Sequence, residues 1–161
     1  MKLAWATDIH LDFCSPQIRE GFYGEVRAAA ADALLVTGDI ADAKSLERLL
    51  LEMAAAVAMP VYLVLGNHDF YGAAVRDVRD RVRALTAKDE RIRWLPAAGV
   101  VALTDRCGLV GHDGWADGRF GDWWHSTVVL NDYLHIRDLA PANLVRADLL
   151  ALIQTLAAEA A

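Results

Sequence analysis

The chain has 161 residues, a formal net charge of −6, 55% hydrophobic and 24% charged residues. That composition excludes a disordered chain, and the acidic balance argues against the basic face of a nucleic-acid binder. The apolar runs are broken by charge or glycine well short of the ~18 residues a membrane span needs, and the two cysteines, Cys14 and Cys107, are too far apart for a zinc or redox pair.

Leu3–Thr7 is a short apolar run that ends in an acid, too short for a signal-peptide core. It is read as a first strand, and the chain as cytoplasmic. Ala33–Thr37 and Val61–Leu65 are similar runs without polar alternation, as expected of strands buried on both faces. Between them, Ile18–Asp32 is Ala-rich. Leu46, Leu49, Leu50, Met53 and Val57 recur at helical spacing, which predicts an amphipathic helix over Lys44–Met59, stopped by Pro60. A β-α-β-α-β series of this kind predicts parallel strands joined by right-handed crossovers.

A charged helix is predicted over Ala73–Ala87, then short strands over Ile92–Leu95, Val100–Leu103 and Cys107–Gly111, with Asp105-Arg106 as a turn. His112–Tyr133 is rich in Gly, Asp and Trp and reads as a long loop, a length that usually signals function or mobility. A last helix is predicted over Ala142–Ala158, with Val145, Leu149, Leu152, Ile153 and Leu156 on one face.

Polar residues gather where the first three strands end: Asp8-Ile9-His10, Gly38-Asp39-Ile40-Ala41-Asp42 and Gly66-Asn67-His68-Asp69. In an open α/β sheet the site lies outside the carboxyl ends of the strands, so topology gathers these clusters. Carboxylate, imidazole and amide oxygen suit Mn, Fe or Zn better than a soft metal. Glycines before Asp39 and Asn67 permit sharp turns close to a metal.

Asp8-x-His10, Gly38-Asp39 and Gly66-Asn67-His68-Asp69, in that order and each after an apolar strand, resemble the signature of the calcineurin-like metallophosphoesterases. The motifs cover about residues 1–75. The resemblance implies the N-terminal half of a four-layer αββα sandwich, an α/β fold with a mostly parallel sheet flanked by helices. It implies two divalent metal ions that activate water for attack on a phosphomono- or diester, of a small molecule or a nucleotide. Asp8 and His10 would bind the first ion, Asp39 would bridge both, and Asn67 would bind the second. His68 would face the substrate as a proton donor or a stabiliser of transition-state charge. Asp42 matches the residue that orients this histidine in the protein-phosphatase branch. Ala43 stands where that branch has Arg, which argues against a protein Ser/Thr phosphatase.

Several residues have plainer readings. Asp42 is equally a cap for the helix beginning near Ala43, and Asp69 a stabiliser of its loop. Asp12 lies near the site without an assigned role. His112 either approaches the metals or is a turn histidine, and the turn reading is preferred. His125 and His135 are read as surface residues. Trp115, Trp123 and Trp124 either wall the site or anchor the long loop. Arg119 meets a substrate phosphate or pairs with Asp117 or Asp122.

The family's C-terminal Gly-His-x-His is absent, and no histidine follows His135. The resemblance therefore implies a single domain over 1–161 that is truncated at its C-terminal side. It also implies an apolar sheet face that a partner or an oligomer would cover. Weak or absent catalysis is then expected of this chain, and the alternative is a non-catalytic scaffold or interaction module that keeps a partial metal site. An unrelated nucleotide-binding domain is disfavoured, because no Gly-x-Gly-x-x-Gly follows the first strand.

Overall fold

A computed structural model describes residues 1–141 and 145–159. Four strands, β1 (Leu3–Ala6), β2 (Ala33–Thr37), β3 (Val61–Val64) and β4 (Ile92–Trp94), form one sheet in sequence order, every neighbouring pair parallel. The crossovers are α1 (Pro16–Ala28), α2 (Leu46–Val57) and α3 (Val75–Thr86). Strands laid down successively in one direction by right-handed crossovers place all their helices on one face. The α/β expectation, with a mostly parallel sheet flanked by helices, is met.

The register shows which residues build that packed face. Ala4, Leu34, Val61 and Ile92 align across the sheet, as do Ala6, Val36, Leu63 and Trp94 one pleat further on. Both rows belong to the core. Against them α2 buries Leu46, Leu49, Leu50, Met53 and Val57, the apolar stripe read from the sequence, and α3 buries Val75, Val78 and Val82. Each fully buried aliphatic side chain of this size contributes about 1.5–3 kcal/mol. The opposite face is carried by Trp5, Leu35, Tyr62 and Arg93 in one aligned row. No crossover helix covers that face, and Trp5 is 70% exposed.

The elements differ from the sequence reading mainly at their ends. Helix α1 starts at Pro16 rather than Ile18, because the Ser15 hydroxyl caps the Ile18 N–H at 3.3 Å and Pro16 occupies the first turn. It stops at Ala28 rather than Asp32, where Ala30 adopts a positive φ of 47°. Helix α2 begins at Leu46, two residues later than expected. After β4 come a four-residue helix α4 (Leu95–Ala98) and an antiparallel hairpin of β5 (Val101–Thr104) and β6 (Cys107–Leu109), turned at Asp105-Arg106. The long segment that follows holds a short helix, α5 (Asp132–His135), where the sequence predicts loop and a surface histidine. Helix α6 (Arg146–Ala158) buries Ile153 alone; the expected start at Ala142 lies outside the described residues. Cys14 and Cys107 are both free.

Candidate metal centre at the strand ends

The three polar clusters meet at the carboxyl end of the sheet. After β1 the chain keeps following the segment after β2: the N–H of Asp8 donates to Gly38 O (3.2 Å), that of His10 to Asp39 O (3.0 Å) and that of Leu11 to Ile40 O (2.8 Å). The two loops thus run side by side beyond the sheet. To do so, Asp8, His10 and Asp39 adopt positive φ values of 53°, 38° and 51°. Left-handed backbone at non-glycine residues costs roughly 1 kcal/mol or more and concentrates at functional sites. Here it turns three side chains toward one another. Ligand atoms of Asp8, His10 and Asp39 all lie within 4.8 Å of each other.

Asp39 sits between two groups. Its Oδ2 is 3.9 Å from His10 Nε2, while its Oδ1 accepts the His68 main-chain N–H at 3.0 Å. Two glycines make this proximity possible. A Cβ on Gly66 would stand 2.6 Å from the Asp39 nitrogen. One on Gly38, whose φ is +89°, would stand 2.8 Å from the Gly66 nitrogen. The Thr7 hydroxyl donates to Asp8 Oδ2 at 2.5 Å.

His68 begins a single 3-10 turn (His68–Phe70) directly after β3 and its loop. Its ring is held edge-on to His10 (centroids 4.7 Å apart, 80° between planes) and against Tyr71 (4.1 Å). Phe13 closes the group 6.0 Å away and is itself exposed. His68 is therefore brought beside the Asp8–His10–Asp39 cluster. Asp42 is not joined to it. Asp42 Oδ1 accepts the N–H of Ser45 at 3.0 Å and also the Ser45 hydroxyl, and the Asp42 carbonyl accepts the N–H of Leu46. The His68 Nδ1 atom is buried without a hydrogen-bond partner among the described residues. Asp42 makes these contacts in the turn before α2, whose N-cap is Ser45, and the His68 ring is packed by His10 and Tyr71.

Asp69 is fully buried, and its two oxygens tie the strand-end loops together. Oδ1 accepts the N–H groups of Ile40 (2.8 Å) and Ala41 (2.9 Å), and Oδ2 accepts that of Gly66 (2.8 Å). Burial pushes its carboxyl up to about 7, while the three amide donors pull in the opposite direction. Asn67 donates through Nδ2 to Asp132 Oδ1 at 2.7 Å, and the Tyr71 hydroxyl donates to the same oxygen at 2.7 Å. Burial first, and then the Asp132 hydrogen bond, raise the Tyr71 phenol above its ordinary value and keep it a donor. Spacing gave no hint of Asp132, which lies 65 residues from Asn67.

The remaining candidates resolve into structural parts. His112 Nδ1 accepts the Gly114 N–H at 3.0 Å, which makes it a turn histidine. Asp113, unremarked in the sequence, takes the N–H of Leu65 (2.8 Å), Trp94 Nε1 (2.9 Å) and Arg79 Nε (3.2 Å) and fixes the end of β3. Arg119 pairs with Asp117 and His125 with Asp122, and both pairs are exposed. Trp123 packs against Tyr133, with the Arg146 guanidinium 5.9 Å from its ring centre. Trp115, by contrast, lines a cavity of about 650 Å³ together with Asn67, Tyr71, Asp113, Asp132 and Tyr133. Asp12 Oδ1 is buried without a partner among the described residues.

These donors fit a hard or borderline divalent cation. Two carboxylates and an imidazole converge, and among the described residues His10 Nδ1 is buried without a partner on a ring whose other nitrogen faces Asp39. The fold is a parallel α/β sheet with acids, a histidine and an amide at its strand ends, donors suited to a divalent cation. A family model described as calcineurin-like phosphoesterase matches residues 1–148, and the chain belongs to that family. Comparison with curated proteins and with solved structures gives no match for either. The family acts on phosphoesters and normally binds divalent metals. Among the described residues no helix is long and apolar enough to cross a membrane.

Proposed function

We propose that this chain hydrolyses a phosphomono- or diester of a small molecule or nucleotide, using two divalent ions of the Mn, Fe or Zn kind. The observation that carries the reading is the convergence of Asp8, His10 and Asp39 ligand atoms within 4.8 Å, at the end of a parallel sheet. Asp8 and His10 hold the first ion. Asp39, which has one oxygen toward His10 and the other toward the His68 segment, bridges to the second. Asn67 holds the second ion through its side-chain oxygen. When bound, such a pair supplies charge neutralisation on the phosphoryl oxygens and activation of water at neutral pH.

The chain's own residues do the rest. His68, packed between the rings of His10 and Tyr71, gives a proton to the departing oxygen of the ester. Thr7 fixes the Asp8 carboxylate. Asp69 holds Gly66 against the segment after β2, so that Asp39 and Asn67 stay in register. Four protein donors for two ions make metal affinity modest, so the assay requires added metal.

The test is hydrolysis of bis(p-nitrophenyl) phosphate by the purified chain with millimolar Mn(II), beside Mn(II) binding followed by calorimetry. Saturable Mn(II) binding and metal-dependent release of p-nitrophenol, both lost in Asp39→Ala, are expected. Binding that survives Asp39→Ala overturns the site. Binding without hydrolysis leaves a metal-binding module in place of an enzyme.

A further inference from the structure

We infer that Asp132 is a positioning residue for the second metal site, acting through the Asn67 amide. The inference rests on the proposed role of Asn67 as a ligand and adds a residue 65 positions away to that site.

An asparagine amide can present either its oxygen or its nitrogen to a given neighbour, and only the oxygen ligates a cation. The neighbour decides which. An ionised carboxylate is acceptor-only, so the Asn67 atom 2.7 Å from Asp132 Oδ1 is the NH2 group. The Tyr71 hydroxyl spends its one proton on the same Asp132 oxygen, at 2.7 Å. The Asn67 Nδ2 atom also lies 3.4 Å from the Tyr71 hydroxyl oxygen. The short contact with Asp132 is the one that fixes the NH2 side of the amide. Among the described residues no donor reaches Asn67 Oδ1, so the oxygen is the atom left for a cation.

The fold keeps Asp132 in place independently of Asn67. It opens α5, whose last residue His135 accepts the Gly72 N–H through its carbonyl at 2.8 Å. The Arg137 N–H donates to Ala73 O at 2.9 Å, and Asp138 Oδ2 accepts the Val75 N–H at 2.7 Å at the start of α3. Ile136 is fully buried and Leu139 nearly so. Segment 132–139 is thus clamped onto Gly72–Val75, the stretch between the 3-10 turn and α3. Ligand-orienting partners of this kind typically alter metal affinity by about 10–100-fold.

The experiment measures Mn(II) binding to the full chain by calorimetry, with electron paramagnetic resonance to report coupling between two bound ions. Asp132→Ala is expected to weaken the second Mn(II) about 10–100-fold and to remove the coupled signal, while the first Mn(II) stays. Asp132→Asn keeps a carbonyl oxygen that can accept from Asn67 and Tyr71 but adds an NH2 of its own, so that it no longer forces the Asn67 orientation, and is expected to bind the second Mn(II) with an affinity between those of wild type and Asp132→Ala. Asp132→Ala added to Asn67→Ala is expected to cost nothing more, because Asp132 acts only through Asn67.

Three results overturn the inference alone: unchanged second-site affinity in Asp132→Ala, loss in Asp132→Asn equal to that in Asp132→Ala, or additive loss in the double variant. Circular dichroism guards against unfolding of the alanine variant, and the asparagine variant and the double-mutant comparison stand without it. Failure of the underlying metal reading looks different. Asp39→Ala and Asn67→Ala would then bind Mn(II) as wild type does, or wild type would bind none, and both ideas fall together.

Discussion

The Cβ position of Gly66 lies 2.6 Å from the main-chain nitrogen of Asp39 and 2.9 Å from its carboxyl carbon. The loops after β2 and β3 are therefore in backbone contact at the carboxylate proposed to bridge two ions. A side chain on residue 66 cannot be absorbed by rotamer change, since the obstacle includes main chain.

Gly66→Ala is accordingly expected to lower stability by about 1–3 kcal/mol, the usual range for overpacking. It should weaken metal binding by more than its stability loss implies, because the shift falls on Asp39. Chemical denaturation and Mn(II) titration of the same preparation measure both. Wild-type metal affinity in a destabilised Gly66→Ala chain would show that the contact matters for folding only.

Asp69 gives a sharper contrast. It touches no candidate metal donor through its oxygens, yet three main-chain amides depend on it. Asp69→Ala leaves those N–H groups without an acceptor in a buried place, at about 1 kcal/mol or more each. A loss of at least about 3 kcal/mol is expected. Asp69→Asn retains one acceptor oxygen and should lose less. Urea unfolding of the metal-free variants reads the difference. Equal stability of Asp69→Ala and wild type would mean that water replaces the carboxylate.

Arg19, Tyr23 and Glu52 carry the pH dependence that can be stated with a sign. Arg19 Nε donates to Glu52 at 2.6 Å, Tyr23 OH donates at 3.3 Å, and Arg19 Nη1 reaches Cys14 O at 2.7 Å. The trio joins α1, α2 and the loop that follows His10. The Arg19 hydrogen bond, more than its charge, lowers the Glu52 carboxyl below its ordinary value. A lowered folded value means that the contribution is complete above the unfolded value of about 4.3 and is lost as the pH falls through the folded one. The pair is partly exposed, so about 0.5–1 kcal/mol is expected. Glu52→Gln should cost that much at pH 7 and flatten the acid side of the stability profile. A profile that stays parallel to wild type below pH 4.5 would assign acid unfolding to other carboxylates.

How far the sequence carried follows from these cases. Strand identities, the buried stripe of α2 and the residues of the cluster are written in short apolar runs that end in Asp-x-His, Gly-Asp and Gly-Asn-His-Asp. Those signals are local, and topology alone brings them together. Asp132 and Asp113 were invisible because their partners lie 65 and 48 residues away, and no spacing rule marks such pairs. Asp42 had two readings of equal weight from position alone. The two are compatible, and among the described residues its carboxylate bonds to Ser45 in the turn before α2. The start of α1 is written in Ser15-Pro16, a cap and a first-turn proline upstream of the alanine-rich stretch.

His68 supplies the last test, because its two possible contributions separate experimentally. Its main-chain N–H anchors Asp39 Oδ1 at 3.0 Å, and any substitution with normal backbone keeps that bond. Its ring, against His10 and Tyr71, is the part assigned to proton donation. Loss of a general acid typically costs about 10²–10⁴ in rate. His68→Ala is therefore expected to lower kcat on an alkyl ester by about 10²-fold or more, with Mn(II) affinity within about threefold of wild type. The cost should be smaller for p-nitrophenolate, a good leaving group that needs little protonation, than for an alkoxide. An equal loss on both esters would move His68 from proton donor to stabiliser of phosphoryl charge. A parallel loss of Mn(II) binding would make its ring a support for His10.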